Sequence, residues 1–170
     1  QLNARGYSPV EFTNVLFQEL GAESGVARAG EQGRIVVRRA LAADADTWVD
    51  TAVEGWSEFL EYADEMRALS RVTMARSEGR AYLALLDGEP IGTGSLSIVN
   101  DVALLAGAAT IPRARRQGAQ LALLHARLRD AVEAGCTVAM MCARPGSASQ
   151  RNAERHGFRI AYTRIKWGKR

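Results

Sequence analysis

Along the chain, short apolar runs alternate with stretches in which apolar residues return every third or fourth position, the signatures of strands and amphipathic helices. Ile35 to Leu41 predicts a strand, after which Asp44 can cap a helix with Trp48, Ala52 and Trp56 on one face. A second helix is predicted over about 57–77, where Phe59, Ala63, Met66 and Leu69 recur at helical spacing and Glu58, Glu61, Asp64 and Glu65 crowd the complementary surface. Gly79 ends that pattern. Tyr82–Leu86, Asp87-Gly88-Glu89-Pro90 and Ile91–Val99 form a predicted β-hairpin, because Asp-Gly takes the positive φ angles of a tight turn. A third strand, Val102–Ile111, stops at Pro112.

The clearest helix covers 117–134, with Leu121, Leu124, Leu128 and Ala131 in register and Gly135 as its stop. Thr137–Ala143 follows as a short strand expected to be buried on both faces. Arg144-Pro145-Gly146 turns the chain, and Ser147 to Gln150 reads as a capping box opening a helix that ends at Gly157. Phe158–Trp167 is the final strand. The order is strand, two helices, three strands, helix, strand, helix, strand: a mixed α/β layer with one parallel crossover near its end.

Ahead of this series, Arg5-Gly6-Tyr7 followed by Val10, Phe12, Val15 and Phe17 repeats His156-Gly157-Phe158 followed by Ile160, Tyr162, Ile165 and Trp167. Each reads as a helix end, a Gly stop, an aromatic and a strand, with one extra residue beside Pro9 in the head. Residues 1–21 are therefore an orphan strand segment that could end a preceding related half, and could pair with this sheet or a neighbour's. Residues 22–33, small and polar, read as a linker, and 34–170 as the main domain.

A length of 170 residues suits one domain, and 47% hydrophobic with 24% charged residues excludes disordered and fibrous classes. No window reaches the roughly 18–20 apolar residues of a membrane span, so no membrane partner is expected. The formal charge of +3 conceals an asymmetry: residues 1–112 hold 9 basic and 16 acidic side chains, whereas 113–170 hold 13 basic and 3 acidic. Cys136 and Cys142 lack metal-ligand spacing, read as buried strand residues, and suit a reducing, cytoplasmic compartment.

Chemistry concentrates where Ala108-Ala109-Thr110-Ile111-Pro112 runs into Arg113-Ala114-Arg115-Arg116-Gln117-Gly118-Ala119-Gln120-Leu121. A strand, a Pro stop, a basic loop, a Gly and a helix start make an anion cradle. First-turn N–H groups have no intrahelical partner, the helix dipole adds positive charge, and Gly118 lets a phosphate approach the backbone. Arg115 and Arg116 add long-range attraction.

These residues resemble the GNAT superfamily of acyl-CoA-dependent N-acetyltransferases, whose signature is a strand and Pro, then Arg or Gln-x-x-Gly-x-Gly or Ala opening a helix. The match here is Arg115-Arg116-Gln117-Gly118-Ala119-Gln120, joined by a second family element in the Ser147–Gly157 helix followed by Phe158. The resemblance implies a GNAT-like mixed, mostly antiparallel sheet with a central parallel pair and helices on both faces. It further implies acetyl-CoA, or another acyl-CoA, as co-substrate, with no metal. Ala108, Ala109 and Thr110 would offer backbone groups to the pantetheine arm and thioester carbonyl, and the loop from Arg115 to Gln120 would hold the pyrophosphate. The reaction would be direct transfer of the acyl group to an amine in a ternary complex, with a strand N–H stabilising the negative carbonyl oxygen.

Two positions depart from the family pattern. Gln120 replaces a small residue, so the backbone stands further from the phosphate or the amide adds a hydrogen bond; Ala153 stands where a Tyr often protonates the leaving thiolate. Ser149 and Asn152, three apart on one helix face, are then the polar groups expected to reach the CoA thiol, as catalytic and cofactor-binding candidates. His125 and His156 read as packing or helix-end residues, and Glu54, Glu58, Glu61 and Asp64 as a mostly solvated face that could wall an acceptor site.

A non-catalytic acyl-CoA-binding regulatory module is the alternative. Nucleic-acid binding by the Arg-rich half ranks last, because few aromatics accompany the Arg residues. The expected acceptor is a small-molecule or peptide amine, with the charge asymmetry favouring a cationic one. Oligomeric state is open, a homo-oligomer included.

Overall fold

The computed structural model describes residues 1–21, 34–76 and 79–169, and within them every side chain but those of 59–61. The predicted linker, 22–33, lies outside the described residues. The strands are β1 (Tyr7–Glu19), β2 (Ile35–Arg39), β3 (Gly79–Leu86), β4 (Glu89–Val99), β5 (Val102–Thr110), β6 (Val138–Ala143) and β7 (Arg159–Lys169). The helices are α1 (Ala45–Gly55), α2 (Ala63–Ala75), α3 (Ala119–Glu133) and α4 (Ala148–Arg155). All seven strands form one sheet in the order β2-β3-β4-β5-β6-β1-β7. Every neighbouring pair is antiparallel except β5 and β6, the expected central parallel pair.

Alternation along β3 divides the interior in two. Ala81 and Leu83 face a cluster with Trp48, Val49 and Ala52 of α1, while Tyr82 and Ala84 face the larger cluster with Leu123, Leu124 and Leu128 of α3. Helices therefore cover both faces. The Trp48 indole N–H donates to the Tyr82 carbonyl at 3.0 Å, satisfying a buried donor. The β3–β4 turn forms as expected, with Asp87 at φ 51° and Gly88 at φ 89°.

The head segment is part of this sheet. β1 lies between β6 and β7, antiparallel to both, with Val15, Leu16 and Leu20 buried in the core. Among the described residues β7 reaches the sheet only through β1.

Several local expectations change. Asp44 does not cap α1: its carboxylate accepts the Leu41 N–H at 2.7 Å and pairs with Arg38, closing a preceding 3-10 turn. Those two donors hold the Asp44 carboxyl down at about 2. α1 stops at Gly55, leaving Trp56 beyond the buried face of Trp48 and Ala52. The stretch expected as one helix over 57–77 is a 3-10 turn, Ser57–Tyr62, followed by α2. α2 buries Ser70 and exposes Leu69 and Val72, so its apolar spacing does not mark the face it packs. β6 is not buried on both faces, and Cys142 is exposed although Cys136 is buried. Only half of the capping box forms: the Ser147 Oγ accepts the Gln150 N–H at 3.2 Å, but Gln150 reaches the Gly146 N–H instead.

Candidate active site

β5 and β6 pair from Val102↔Val138 to Leu105↔Met141 and then separate, although β5 runs on to Thr110 and β6 to Ala143. Past that point β5 loses its neighbour, and Ala106 and Gly107 are exposed within an otherwise central strand. The wedge so opened lies between the C-terminal ends of two parallel strands, where unpaired backbone groups face outward. A bulge sharpens it: the β4–β5 register shifts between Thr93 and Ser95, and Gly107 takes φ +57°.

At the end of β5 the predicted Pro stop, loop, Gly and helix start follow one another. Pro112–Ala114 makes a 3-10 turn, Arg116 and Gly118 take φ of 63° and 95°, and α3 begins at Ala119. The first backbone bond of that helix runs from the Ala122 N–H to the Gly118 carbonyl, which leaves the N–H groups of Ala119, Gln120 and Leu121 ahead of it. Nothing stands within 4 Å of where a Cβ would project at Gly118. The loop thus fits a phosphate group: open at its glycine and lined by unpaired donors.

The side chains of this loop depart from expectation. Arg115 does not reach outward as a free cation; it pairs with Glu58 and donates to the Thr110 and Gly55 carbonyls, tying the loop to α1. Arg113 lies 3.7 Å from Glu54. Two of the carboxylates read as an acceptor wall are therefore answered by the basic loop. The Gln120 amide donates to the Thr110 hydroxyl at 2.7 Å, which ties the first turn of α3 to β5. Of the β5 trio, Ala109 and Thr110 are buried and Ala108 is half-buried. α1 presses so closely on β5 that a Cβ at Gly55 would lie 2.6 Å from the Ala109 Cβ.

On α4, the helix that follows β6, Ser149 is exposed and Asn152 half-buried, and neither side chain hydrogen-bonds to the protein among the described residues. Two residues that sequence reasoning missed hold this helix in place. The Asn14 side-chain amide donates to the Gln150 Oε1 at 3.1 Å and accepts from the Thr163 hydroxyl at 2.7 Å, linking β1, β7 and α4. The signal for Asn14 was a polar residue inside an apolar strand; Thr13 beside it donates to Glu11 within β1 instead. An open hollow of about 580 Å³ lies beyond the C-terminal end of β6, lined by Val10, Glu11, Phe12, Arg144, Pro145 and Thr163.

The sequence profile described as the Acetyltransferase (GNAT) family matches residues 44–158, about two thirds of the chain. The chain belongs to the GNAT family. No curated protein matches it by sequence. Among solved structures, a GCN5-related N-acetyltransferase from Kribbella flavida superposes with a TM-score of 0.70 at 22% identity, over 99% of this chain and 62% of the other. One from Sphaerobacter thermophilus gives 0.71 at 16% identity, over 96% of this chain and 53% of the other. The PaiA N-acetyltransferase of Thermoplasma acidophilum, solved in complex with coenzyme A, gives 0.65 at 18% identity, over 80% and 99%. This chain thus spans about three fifths and about half of the first two neighbours.

Within this GNAT fold the bulge has an unusual support. Arg127 of α3 is 4% exposed and faces no carboxylate among the described residues. Its guanidinium donates to the Leu123 carbonyl at 2.9 Å and to the Ser95 and Ala106 carbonyls at 3.3 Å, spanning both sides of the bulge. Burial pushes the Arg127 pKa down to about 10, with Tyr82 opposing, so it stays charged at neutral pH. A Cβ at Gly94 would meet that guanidinium at 3.2 Å, so a side chain there would crowd Arg127. Arg127→Met should strip donors from two strand carbonyls at about 1–3 kcal/mol each, partly offset by relief of the desolvation cost. A net loss of about 2 kcal/mol lowers Tm by roughly 4–8 °C in a thermal melt, with Arg127→Lys falling between.

The two histidines meet, which neither of their separate readings anticipated. His125 of α3 and His156 after α4 stack edge to face with ring centroids 5.7 Å apart, joining the two helices that flank β6. Burial, then His156 and Arg129, lower the His125 pKa from its ordinary 6.5. The unfolded chain therefore takes up this proton first, and the stability present above about pH 6.5 is lost as pH falls through the lower folded value. His125→Gln should flatten the plot of Tm against pH between about 7 and 5.

Proposed function

We propose that this chain transfers an acetyl, or related acyl, group from acetyl-CoA directly to an amine in a ternary complex. The observation that carries the reading is the wedge between β5 and β6, opening onto a helix N-terminus whose glycine leaves backbone donors uncovered. In it the loop from Arg115 to Gln120, with the N–H groups of Ala119 and Gln120 ahead of the first helical bond, holds the pyrophosphate, and the edge of β5 around Ala108 aligns the pantetheine arm. An activated thioester is what the co-substrate supplies.

The amine nitrogen bonds to the thioester carbon, the carbon–sulfur bond breaks, the sulfur leaves as thiolate, and the proton shed by the amine balances it. A β5 backbone N–H opposes the charge that develops on the carbonyl oxygen. Ser149 and Asn152, free of protein partners, donate hydrogen bonds to the departing sulfur. Positioning supplies most of the acceleration. The acceptor is a small-molecule or peptide amine. The free thiols of Cys136 and Cys142 suit a reducing compartment such as the cytoplasm, and no helix among the described residues is long and apolar enough to cross a membrane.

Acetyl-CoA at 1 mM should raise Tm by several degrees, and a panel of amines should release free thiol from it. No shift with any acyl-CoA would overturn the CoA reading. A shift without thiol release from any amine would favour a binding module. That second reading draws on Ala153, which is buried and puts no hydroxyl at the thiolate.

A further inference from the structure

β7 ends the sheet in a way that edge strands seldom do. It is 11 residues long, nearly all exposed, and presents Ile160, Tyr162, Ile165 and Trp167 at 43, 59, 41 and 36% exposure, with Val10 and Phe12 of β1 beside them at 64 and 49%. Its outer row of N–H and C=O groups has no strand partner among the described residues, and no proline interrupts it.

The likeness between head and tail explains this edge. The two segments share their helix caps bond for bond. The Gly6 N–H donates to the Asn3 carbonyl and the Tyr7 N–H to Leu2, as the Gly157 N–H does to Glu154 and the Phe158 N–H to Ala153. Gly6 and Gly157 both take left-handed φ, 78° and 94°. The strands that follow lie antiparallel about a local two-fold axis. By sequence, Phe12 matches Tyr162 and Val15 matches Ile165; in space Phe12 pairs with Ile165 and Val15 with Tyr162, so exchanging the strands reproduces the pairing. Thr13↔Arg164 and Asn14↔Thr163 obey the same exchange.

On its far side β1 is paired by β6, from Asn14↔Ala143 to Glu19↔Val138. The two-fold places an equivalent strand against β7, opposite Arg164 to Lys169. The geometry points to a second domain of this same fold as the occupant of that edge. Residues 2–19 are the last helical turn and last strand of that second domain, and each domain completes the sheet of the other. A second copy of this chain does not fit the position, since its own β6 is already paired on both edges by β5 and β1.

Hydrogen exchange followed by mass spectrometry tests this on the complete polypeptide that the gene encodes, beside the 170-residue chain. In the complete polypeptide the outward-facing amides of 164–169 should exchange as slowly as those of 14–19 that face β6. In the shorter chain these outward-facing amides should exchange at least 100-fold faster, with 14–19 unchanged. Three results overturn the proposal: a gene encoding no second domain of this fold, fast exchange of the outward-facing amides of 164–169 in the complete polypeptide, or protection that grows with concentration and tracks a dimer of identical chains. None of these readouts depends on CoA.

Discussion

Gly118→Glu is expected to weaken acetyl-CoA binding at least 100-fold while leaving the domain folded. The glycine takes φ +95°, where a side chain costs roughly 1–2 kcal/mol in backbone strain, but nothing lies within 4 Å of the new Cβ, so the core is not disturbed. The added carboxylate occupies the approach to the first-turn N–H groups and opposes the phosphates with like charge. Blocking a close approach and adding that repulsion amounts to about 2.7 kcal/mol or more, which is the 100-fold. Gly118→Ala, which adds bulk without charge, should lose about tenfold. Isothermal titration gives the affinities, and circular dichroism reports whether the fold is kept. Wild-type affinity in Gly118→Glu would remove the pyrophosphate from this loop. Arg115→Ala asks a different question, because that side chain is committed to Glu58, Gly55 and Thr110. A half-exposed pair of this kind contributes about 0.2–1 kcal/mol, so its loss should loosen the loop with little effect on Tm.

What was legible in the sequence was whatever depends on neighbouring residues. Backbone demands show through residue type: Asp87-Gly88 as a turn, Gly118 as an open loop, Gly157 as a helix stop, and each takes the positive φ expected of it. Strand and helix periods placed β2 to β7 in order, and the Pro-to-Gly junction located the cradle. Features set by tertiary contact did not show. Leu69 looks like a core position yet is exposed, because α2 buries Ser70 and packs Met74 against the Trp48 cluster instead. Arg127 follows the apolar stripe of α3 and carries nothing in its local sequence to say that two strand carbonyls draw it inside. The pairing of Glu58 with Arg115 joins residues 57 apart and turns a supposed field of free charge into a tie. Asn14 acts across a still longer separation, 136 residues to Gln150, and its role exists only because the head strand enters the sheet.

Deleting residues 1–33 should therefore destroy the fold, although it leaves the whole 44–158 family match intact. β1 is the sole strand neighbour of β7 and covers one edge of β6. It also brings Val15, Leu16 and Leu20 into the core at 6, 0 and 9% exposure. Burying three such side chains contributes roughly 1.5–3 kcal/mol each, a sum comparable with the about 5–15 kcal/mol that holds a domain of this size together. The backbone bonds of two ladders go with them, as does the Asn14–Gln150 contact that seats α4 beside the wedge. The truncated protein should be insoluble, or should keep far-ultraviolet dichroism while losing its near-ultraviolet signal and cooperative melting. A synthetic peptide of residues 1–21, added during refolding, should restore a cooperative transition, because the missing strand contributes through pairing and burial rather than through its covalent link. An unchanged melt after deletion would mean that β7 closes onto β6 by itself. The GNAT sheet would then be complete without its first strand, and the two-fold about β1 and β7 would lose its structural role.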